Sequence, residues 1–540
     1  MPLREQEFLD AAISQGLIED DQLPEIRRQA NAQGISSLEA ISIAYRIPLK
    51  ALYHAVAAER NIRFVDLGIY PIDEASALEM AEIGLRRGVI PVHDEDGKII
   101  LATAEIDDLA LISAVERSLD VLAEVALATP NAVSDAVQFI RDLRNEDVEI
   151  VDVESEDATD LFSRVINEAY LHHASDIHIE PAENTIRVRF RVDGRLISYI
   201  SSLPPELGRL LVSRIKVFSG LDIAEQRAPQ DGRMQFELVN GISQDMRVAV
   251  IPTRFGERIT IRLLGTTDEN LTLSTLGMLD AELEVFRQAI QKPHGIVLLT
   301  GPTGSGKSTT LYSALKEINS GWRNIITVED PIEQIVPNVS QVQVGASDKV
   351  TFDSALRSIL RHDPDVVMIG EVRDLSTADI ALKAALTGHL VFSSLHTNTA
   401  VGAITRLMDF GCEPYLVVAT LVGAISQRLV RRLCLTCREE VEVDDSKRAL
   451  LGEYELQQNF QAVGCPQCLG TGYSGRIGLF ECFWTSDQTR ELISNGASEL
   501  EISQVGGEQH KTMWQDGLDK VNLGLTSLDE VIGVTIGATI

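Results

Sequence analysis

The sequence is poor in basic side chains and in aromatic ones. Its 540 residues contain 48 lysines and arginines but 80 aspartates and glutamates, a formal net charge of −32, and only 5% of its residues are aromatic. A chain this acidic repels a phosphate backbone, and it has no basic stretch interleaved with aromatic rings on which bases would stack. We therefore do not expect a nucleic acid as the main partner.

Long apolar runs are also missing. The longest, YLVVATLVGAI at 415–425, is far shorter than the ~20 residues needed to span a bilayer. The opening residues, MPLREQEFLDAAIS, lack the basic start and apolar core of a secretory signal. We therefore expect a cytoplasmic protein whose membrane association is made by partner proteins.

Cysteine is scarce, and its spacing is informative. Four of the six cysteines form two C-x-x-C pairs: Cys434, Cys437, Cys465 and Cys468. In a cytosolic chain such pairs favour a metal over disulfides, and two pairs can offer one Zn²⁺ four thiolates at ~2.3 Å. The acidic segment between the pairs is too small and polar for a core of its own, so a structural Zn²⁺ would replace one. Cys412 and Cys482 lie outside this spacing and are predicted to be ordinary buried thiols.

A phosphate-binding loop is the clearest motif. GPTGSGKSTT at 301–310 follows the apolar run GIVLLT and fits G-x-x-x-x-G-K-[ST]. Its backbone N–H groups and the N-terminus of the next helix are expected to surround phosphates, with Lys307 on the β/γ-phosphates and Ser308 on Mg²⁺. The residues predicted to bind ATP are Gly301, Gly304, Ser305, Gly306, Lys307, Ser308 and Thr309.

Three later strands end in residues suited to hydrolysis. ITVEDPIE delivers Glu329 and Asp330, DVVMIGEVRD delivers Glu371, and LTGHLVFSSLHTN is bracketed by His389 and His396. Because the carboxyl ends of parallel strands meet at one rim of a sheet, we expect these side chains near the phosphate loop. Glu371 is then the leading candidate to polarise the attacking water, Glu329 a second carboxylate near water or metal, and the histidines sensors of the γ-phosphate.

The strand IRVRFRV at 186–192 alternates apolar residues with arginines. Arg187, Arg189 and Arg191 fall on one face, opposite the apolar residues. Two interpretations remain open at this point. The arginines form a solvated surface, or they reach a phosphate across an interface.

Length and composition predict several soluble domains. A chain of this length is too long for one core, and 44% hydrophobic with 24% charged residues is typical of globular proteins. The division that we predict is a helical module at 1–60, a small α/β domain at 61–144, an acidic linker at 145–160, an arginine-bearing α/β domain at 161–265, an α/β core with the phosphate loop at 276–433, a zinc module at 434–481 and a helical C-terminal region at 482–540.

Taken together, these motifs resemble the type II secretion and type IV pilus assembly ATPase family. The resemblance covers roughly 155–535 and rests on HASDIHIEP, RFRVDG, LDIAEQRAPQDGR, the phosphate loop, ITVEDPIE, LRHDPDVVMIGEVRD, TGHLVFSSLHTN and GCPQCLGTGYSGRIGLFE. It implies a multidomain α/β protein with a RecA-like motor, a PAS-like domain before it and a zinc module. It also implies a cytoplasmic homohexamer that acts on an inner-membrane platform protein.

The resemblance assigns roles to the residues that match its motifs. Glu371 corresponds to the catalytic carboxylate, Glu329 and Asp330 assist, and His389 and His396 sense phosphate. The arginines expected to be delivered to a nucleotide, often across the hexamer interface, are Arg189, Arg191 and Arg195. Type II secretion is the function that we favour, with type IV pilus extension as the alternative. A nucleic-acid translocase and a scaffold that barely hydrolyses ATP are the competing classes.

The N-terminal segment FLDAAISQGLIEDDQLPEIRRQ resembles the helical modules of this family, some of which bind cyclic di-GMP. Those modules carry an RLG triplet before the G-[LI]-I turn, whereas this chain has Glu7, Phe8 and Leu9 there. An acidic residue thus replaces the arginine that would meet a phosphate. We therefore expect docking to the cytoplasmic domain of a membrane-anchored adaptor rather than cyclic di-GMP binding.

Overall fold

The computed structural model describes residues 3–80, 82–94, 97–144, 158–265, 271–345, 350–452, 454–505 and 511–536. The chain divides into two units, one of residues 1–266 with 463–472 and one of residues 267–462 with 473–540. Residues 145–157 of the acidic linker that the sequence predicts lie outside the described residues. No helix among the described residues is long and apolar enough to cross a membrane.

The first unit begins with a helical module in which α1 packs against α4. Phe8 and Leu9 are buried there, and Ser36 caps α3 by accepting a hydrogen bond from the Glu39 amide at 3.2 Å. The four helices are α1 (Glu5–Ser14), α2 (Leu23–Gln33), α3 (Ser37–Tyr45) and α4 (Leu49–Glu59).

A four-stranded sheet follows, in the order β1-β4-β3-β2, with β2–β3 antiparallel and the other pairs parallel. Its strands are β1 (Arg63–Phe64), β2 (Val89–His93), β3 (Ile99–Thr103) and β4 (Glu124–Leu127). Its helices are α5 (Glu74–Glu79), α6 (Glu82–Arg86), α7 (Leu109–Leu119) and α8 (Pro130–Arg144).

The third part of this unit is a six-stranded antiparallel sheet in the order β7-β6-β5-β10-β9-β8. One sheet face shares a core with its helices, since Phe162 of α9 and Ile215 of α10 belong to the same buried cluster as Val188 and Phe190. The opposite face carries the arginines, as the alternation predicts. The elements are α9 (Ala158–Leu171), β5 (Asp176–Pro181), β6 (Ile186–Val192), β7 (Arg195–Leu203), α10 (Pro205–Phe218), β8 (Gln230–Glu237), β9 (Ser243–Thr253) and β10 (Gly256–Leu263).

The second unit is built on a seven-stranded sheet in the order β13-β12-β14-β15-β11-β16-β19. Every neighbouring pair is parallel except β16–β19. Its strands are β11 (Gly295–Thr300), β12 (Ile325–Glu329), β13 (Ser340–Gln343), β14 (Val366–Ile369), β15 (Leu390–Leu395), β16 (Leu421–Leu433) and β19 (Tyr473–Trp484), and the short pair β17 (Glu439–Glu440) and β18 (Phe460–Gln461) stands apart.

Buried runs such as GIVLLT form the central strands because helices cover both sheet faces. These helices and those that follow β19 are α11 (Asp280–Ile290), α12 (Lys307–Ile318), α13 (Phe352–Ile359), α14 (Leu375–Leu386), α15 (Ala400–Asp409), α16 (Pro414–Thr420), α17 (Asp445–Leu451), α18 (Asp487–Ser494), α19 (Glu499–Val505), α20 (Met513–Asn522) and α21 (Leu528–Thr535). Residues 473–481, which the sequence groups with the zinc module, form most of β19. The cysteine segment is thus an insertion between two antiparallel strands of the motor sheet.

Candidate nucleotide site and cysteine cluster

The phosphate loop joins β11 to α12 through three glycines in the left-handed region. Gly301 has φ 141°, Gly304 has φ 78° and Gly306 has φ 88°. A Cβ on Gly301 would lie 2.4 Å from the Gln427 carbonyl oxygen, and one on Gly306 would lie 2.8 Å from Gln427 Nε2. Only glycine therefore allows the loop to turn this close to β16.

Lys307 stands at the centre of the loop. Its Nζ donates to the carbonyl oxygens of Gly301 at 2.8 Å and Pro302 at 3.0 Å. Burial lowers the pKa of Lys307, and the nearby carboxylates of Glu371 and Glu333 oppose that shift. A phosphate oxygen is a stronger hydrogen-bond acceptor than a carbonyl oxygen. The Lys307 ammonium is therefore placed to exchange its two carbonyl acceptors for the oxygens of a bound phosphate.

Other groups of the loop fit a phosphate ligand as well. Ser305 Oγ is buried and finds no hydrogen-bond partner among the described residues. A buried hydroxyl of this kind costs free energy unless something pairs with it, and a phosphate oxygen would. Ser308 and Thr309 lie half-buried in the first turn of α12, where metal and phosphate ligands are expected.

Glu371 and His396 meet at the carboxyl rim of the sheet, next to the end of β11. The distance from His396 Nε2 to Glu371 Oε2 is 3.2 Å. Arg373 holds the same carboxylate by a short ion pair and lies 3.6 Å from Asp330. The hydrogen bond to Glu371 is the main reason why the pKa of Arg373 is raised. Arg373 was not among the site residues predicted from the sequence, although it lies within the motif GEVRD.

Glu329 reaches the same rim but is enclosed by donors. It is 3% exposed and accepts hydrogen bonds from Tyr312 Oη, from Thr327 Oγ1 at 2.5 Å and from Gln341 Nε2 at 3.0 Å. Burial, reinforced by the bond to Glu329, raises the pKa of Tyr312. Because both carboxylate oxygens are occupied, Glu329 ties α12 to β12 and β13 in this structure.

We expect Tyr312→Phe to destabilise the motor unit by ~1–3 kcal/mol, because a buried carboxylate would lose one of its donors. Thermal and denaturant unfolding of the purified protein measures the effect. Tyr415→Phe is the matched control, since Tyr415 is 63% exposed. Equal stability of the two variants would contradict the buried network.

His389 lies far from this rim. It precedes β15, its carbonyl oxygen accepts from the Gly295 amide at the start of β11, and its Nδ1 lies 2.9 Å from the Ala384 carbonyl oxygen. Gly295 pairs with Leu390 and Thr300 with Leu395, so the two histidines stand at opposite ends of the strand. The seven residue steps from His389 to His396, at ~3.3 Å each, separate the two histidines by roughly 23 Å. Within one chain, His396 lies at the rim that the phosphate loop shares and His389 lies at the opposite end of β15, so the role of His389 as a phosphate sensor stays a prediction.

The arginines are held by carboxylates of their own sheet. Arg189 makes two bonds to Glu180, at 2.7 and 2.8 Å. Arg191 lies 3.9 Å from Asp176 and donates to the Gly194 carbonyl oxygen at 2.9 Å. Arg195 is exposed and pairs in register with Val192, which places it on the opposite sheet face from Arg189 and Arg191. The three therefore do not share one surface.

The four paired cysteines form a cluster. Their Sγ atoms all lie within 4.8 Å of one another, and none is in a disulfide. The Sγ atoms of Cys465 and Cys468 are 3.7 Å apart, close to the ~3.8 Å edge of a tetrahedron with 2.3 Å bonds. The amides of Cys465 and Gly472 donate to Cys468 Sγ, each at 3.1 Å, as they would to a thiolate. This donor set fits a structural Zn²⁺. Cys412 and Cys482 are buried elsewhere.

Comparison with known proteins identifies families and relatives that match most of the chain. The sequence model of the type II/IV secretion system protein family matches residues 152–533, and that of the MshEN domain matches residues 60–146. The Type II secretion system ATPase E of Vibrio cholerae serotype O1 is 48% identical over 397 residues, 73% of this chain and 78% of that protein. The Type IV pilus assembly ATPase PilB of Thermus thermophilus is 39% identical over 514 residues, 90% of this chain and 58% of that protein.

Among solved structures, that of the Legionella pneumophila ATPase DotB matches 73% of this chain and 100% of its own, with a TM-score of 0.54 and 23% identity. That likeness concerns the fold. The phosphate loop, the family match and the 48% identity to a secretion ATPase together define a P-loop ATPase. The chain belongs to the type II/IV secretion system protein family.

Proposed function

We propose that the chain is a homohexameric ATPase that powers type II secretion, by driving assembly of pilin-like subunits through an inner-membrane platform protein. The observation that carries this proposal is the contact between Glu371 and His396 at the carboxyl rim of the motor sheet, with Glu371 near enough to Lys307 of the phosphate loop to oppose the lowering of its pKa. The identity of 48% to a type II secretion ATPase supports the choice of system.

In the proposed mechanism, the phosphate loop binds ATP and Lys307 moves from its two carbonyl acceptors to the β/γ-phosphates. Ser308 would hold Mg²⁺, and the ion would supply positive charge against the phosphates. Glu371 orients the attacking water and accepts its proton, while His396 and Arg373 fix the carboxylate. Glu329 and Asp330 assist by holding α12 and Arg373 in place. Arg189, Arg191 and Arg195 remain the candidates to neutralise the nucleotide in a neighbouring subunit.

The experiment that tests the function combines a purified hexamer with a secretion assay. Light scattering should give six copies, and turnover should rise with the cytoplasmic part of the platform protein. Deletion of the gene should abolish export of type II substrates, and wild-type protein but not Lys307→Ala should restore it. Turnover that rises with DNA instead would support the translocase.

Type IV pilus extension is the second candidate. The specific observation in its favour is that the pilus assembly relative aligns with 90% of this chain, compared with 73% for the secretion relative. The deletion strain distinguishes the two. Normal export with lost pili would replace the first proposal by the second.

We propose that the helical module at 1–60 docks on the cytoplasmic domain of a membrane-anchored adaptor and keeps this cytoplasmic protein at the inner membrane. Glu7 accepts from Arg60 at 2.9 Å and its neighbours Phe8 and Leu9 are buried, which supports a packing role for this stretch. Cyclic di-GMP is expected not to bind, and calorimetric titration with the dinucleotide tests this. The domain division given above, with a PAS-like domain at 161–265, is part of the same proposal.

We propose that the cysteine cluster holds one structural Zn²⁺ per chain. Elemental analysis is expected to find one zinc in the wild-type protein and none in Cys434→Ser/Cys465→Ser, because two ligands are lost. The variant should also lose order at the two C-x-x-C turns that the metal would join, whereas Leu451 between them should stay buried in the core that includes Leu518 of α20 and Val531 of α21. Cys412→Ser is the matched control and should keep its zinc. A wild-type protein free of zinc would refute the site.

A further inference from the structure

The loop that carries His396 is fixed from several sides. Its neighbour Thr397 donates its amide to Thr300 Oγ1 at 2.7 Å, which ties the loop to the end of β11. The Asn398 carbonyl oxygen accepts from Ser426 Oγ at 2.9 Å, and its side-chain oxygen accepts from Arg428 at 3.1 Å. Each of these contacts comes from a strand of the motor sheet.

The other end of the loop is held by residues beyond the cysteine segment. Thr399 caps α15 by accepting the Gly402 amide at 3.0 Å, and its hydroxyl proton is given to Glu499 in a short hydrogen bond. The Ala400 amide donates to Glu481 Oε1 at 2.7 Å. Two carboxylates thus sit at the N-terminus of α15, where the helix dipole favours negative charge.

Glu499 is held in place by the packing of its own helix, α19, and not by the loop at residues 396–399. It is the first residue of α19, and Ile502 of that helix is buried in the same core as Val401 and Ile404 of α15. A carboxylate on a packed helix can therefore fix the rotamer of Thr399, and with it the path of residues 396–399. His396 is three residues away and touches Glu371.

We propose that Glu499 is a positioning residue for ATP hydrolysis, which acts through Thr399 on His396. The C-terminal helices α18 and α19 thereby become part of the nucleotide site rather than an appended region. This rests on the proposed role of His396 in turnover. Glu499 itself touches neither the phosphate loop nor Glu371.

Two substitutions separate the effect of the length of the Glu499 side chain from the effect of its charge. Glu499→Gln keeps the length and an acceptor oxygen for Thr399 but loses the charge, whereas Glu499→Asp keeps the charge but is one methylene too short. We expect Glu499→Gln to keep near wild-type kcat and Glu499→Asp to lose about tenfold, since small misplacements of a catalytic group are costly. KM for ATP should change little in both, because Lys307 is untouched. If Glu499 acts only through its negative charge, Glu499→Asp should be the more active of the two variants. That result would overturn the proposal.

A double-mutant cycle tests the route through His396. Steady-state ATPase assays on the full-length protein compare His396→Ala, Glu499→Asp and the double variant, with Glu491→Ala on α18 as an exposed control expected to match wild type. We expect the double variant to be no slower than His396→Ala alone, whereas independent, multiplying losses would refute the coupling. If His396→Ala leaves turnover unchanged, the proposed site fails. If it slows turnover and Glu499→Asp does not, only the role of Glu499 fails.

Discussion

Glu371→Gln is expected to lower turnover by ~10²–10⁴ while ATP binding is kept, because an amide cannot accept a proton from the attacking water. The substitution keeps the size of the side chain, and an amide oxygen can still accept from Arg373. Lys307 and the glycines of the loop are unchanged. Single-turnover hydrolysis and equilibrium binding of a fluorescent ATP analogue measure the two effects separately.

Glu333→Gln is the informative comparison for this result. Like Glu371, Glu333 raises the pKa of Lys307, so its substitution also removes one negative charge near the loop. A similar loss in both variants would mean that local charge, and not a general base, sets the rate. Negligible turnover in the wild-type protein would instead favour the nucleotide-gated scaffold.

The phosphate loop and Glu371 were predictable because their signals are local. The loop needs glycine where the left-handed backbone and the approach of β16 leave no room for a Cβ, and these positions follow a buried strand in the sequence itself. Glu371 lies two residues beyond the end of another buried strand, β14, and the parallel topology brings such strand ends together. Neither prediction required knowledge of a distant contact.

The two histidines show that sequence spacing alone does not distinguish the two ends of a strand. Both flank the strand LVFSSL, so composition alone treats them alike. Strand direction does not: His396 follows β15 and His389 precedes it, and only the following end meets the phosphate loop. The strand polarity from which Glu371 is predicted at the phosphate-loop rim therefore also separates the two histidines.

Other contacts left no trace in the local sequence. Tyr312 lies on the helix that begins at the phosphate loop, and the residues next to it in the sequence do not predict its hydrogen bond to Glu329. Glu499 is 100 residues from Thr399 along the chain. These pairs depend on how helices pack on the sheet. The last strand of the motor sheet was not predictable from the sequence for a similar reason, because the cysteine insertion separates β16 from its partner β19.

The arginine strand offers the sharpest test of the assembly. We expect Arg191→Ala to keep ATP binding and to lose ~10³-fold or more in turnover, the effect of removing an arginine supplied to a phosphoryl-transfer site. The fold should tolerate the change, because Asp176 keeps its 2.8 Å bond to Arg262. Arg187→Ala, on the same face and strand, is the matched control and should remain active.

Mixed hexamers then show from which subunit the arginine comes. Arg191→Ala subunits retain Glu371, and Glu371→Gln subunits retain Arg191, so either variant alone is expected to be inactive. If the arginine serves a neighbour, some interfaces of a mixed hexamer combine an intact Glu371 with an intact Arg191, and turnover should reappear. If it serves its own chain, no mixture restores activity. Full turnover of the Arg191→Ala variant alone would show that Arg191 is a surface residue paired with Asp176 and takes no part in hydrolysis.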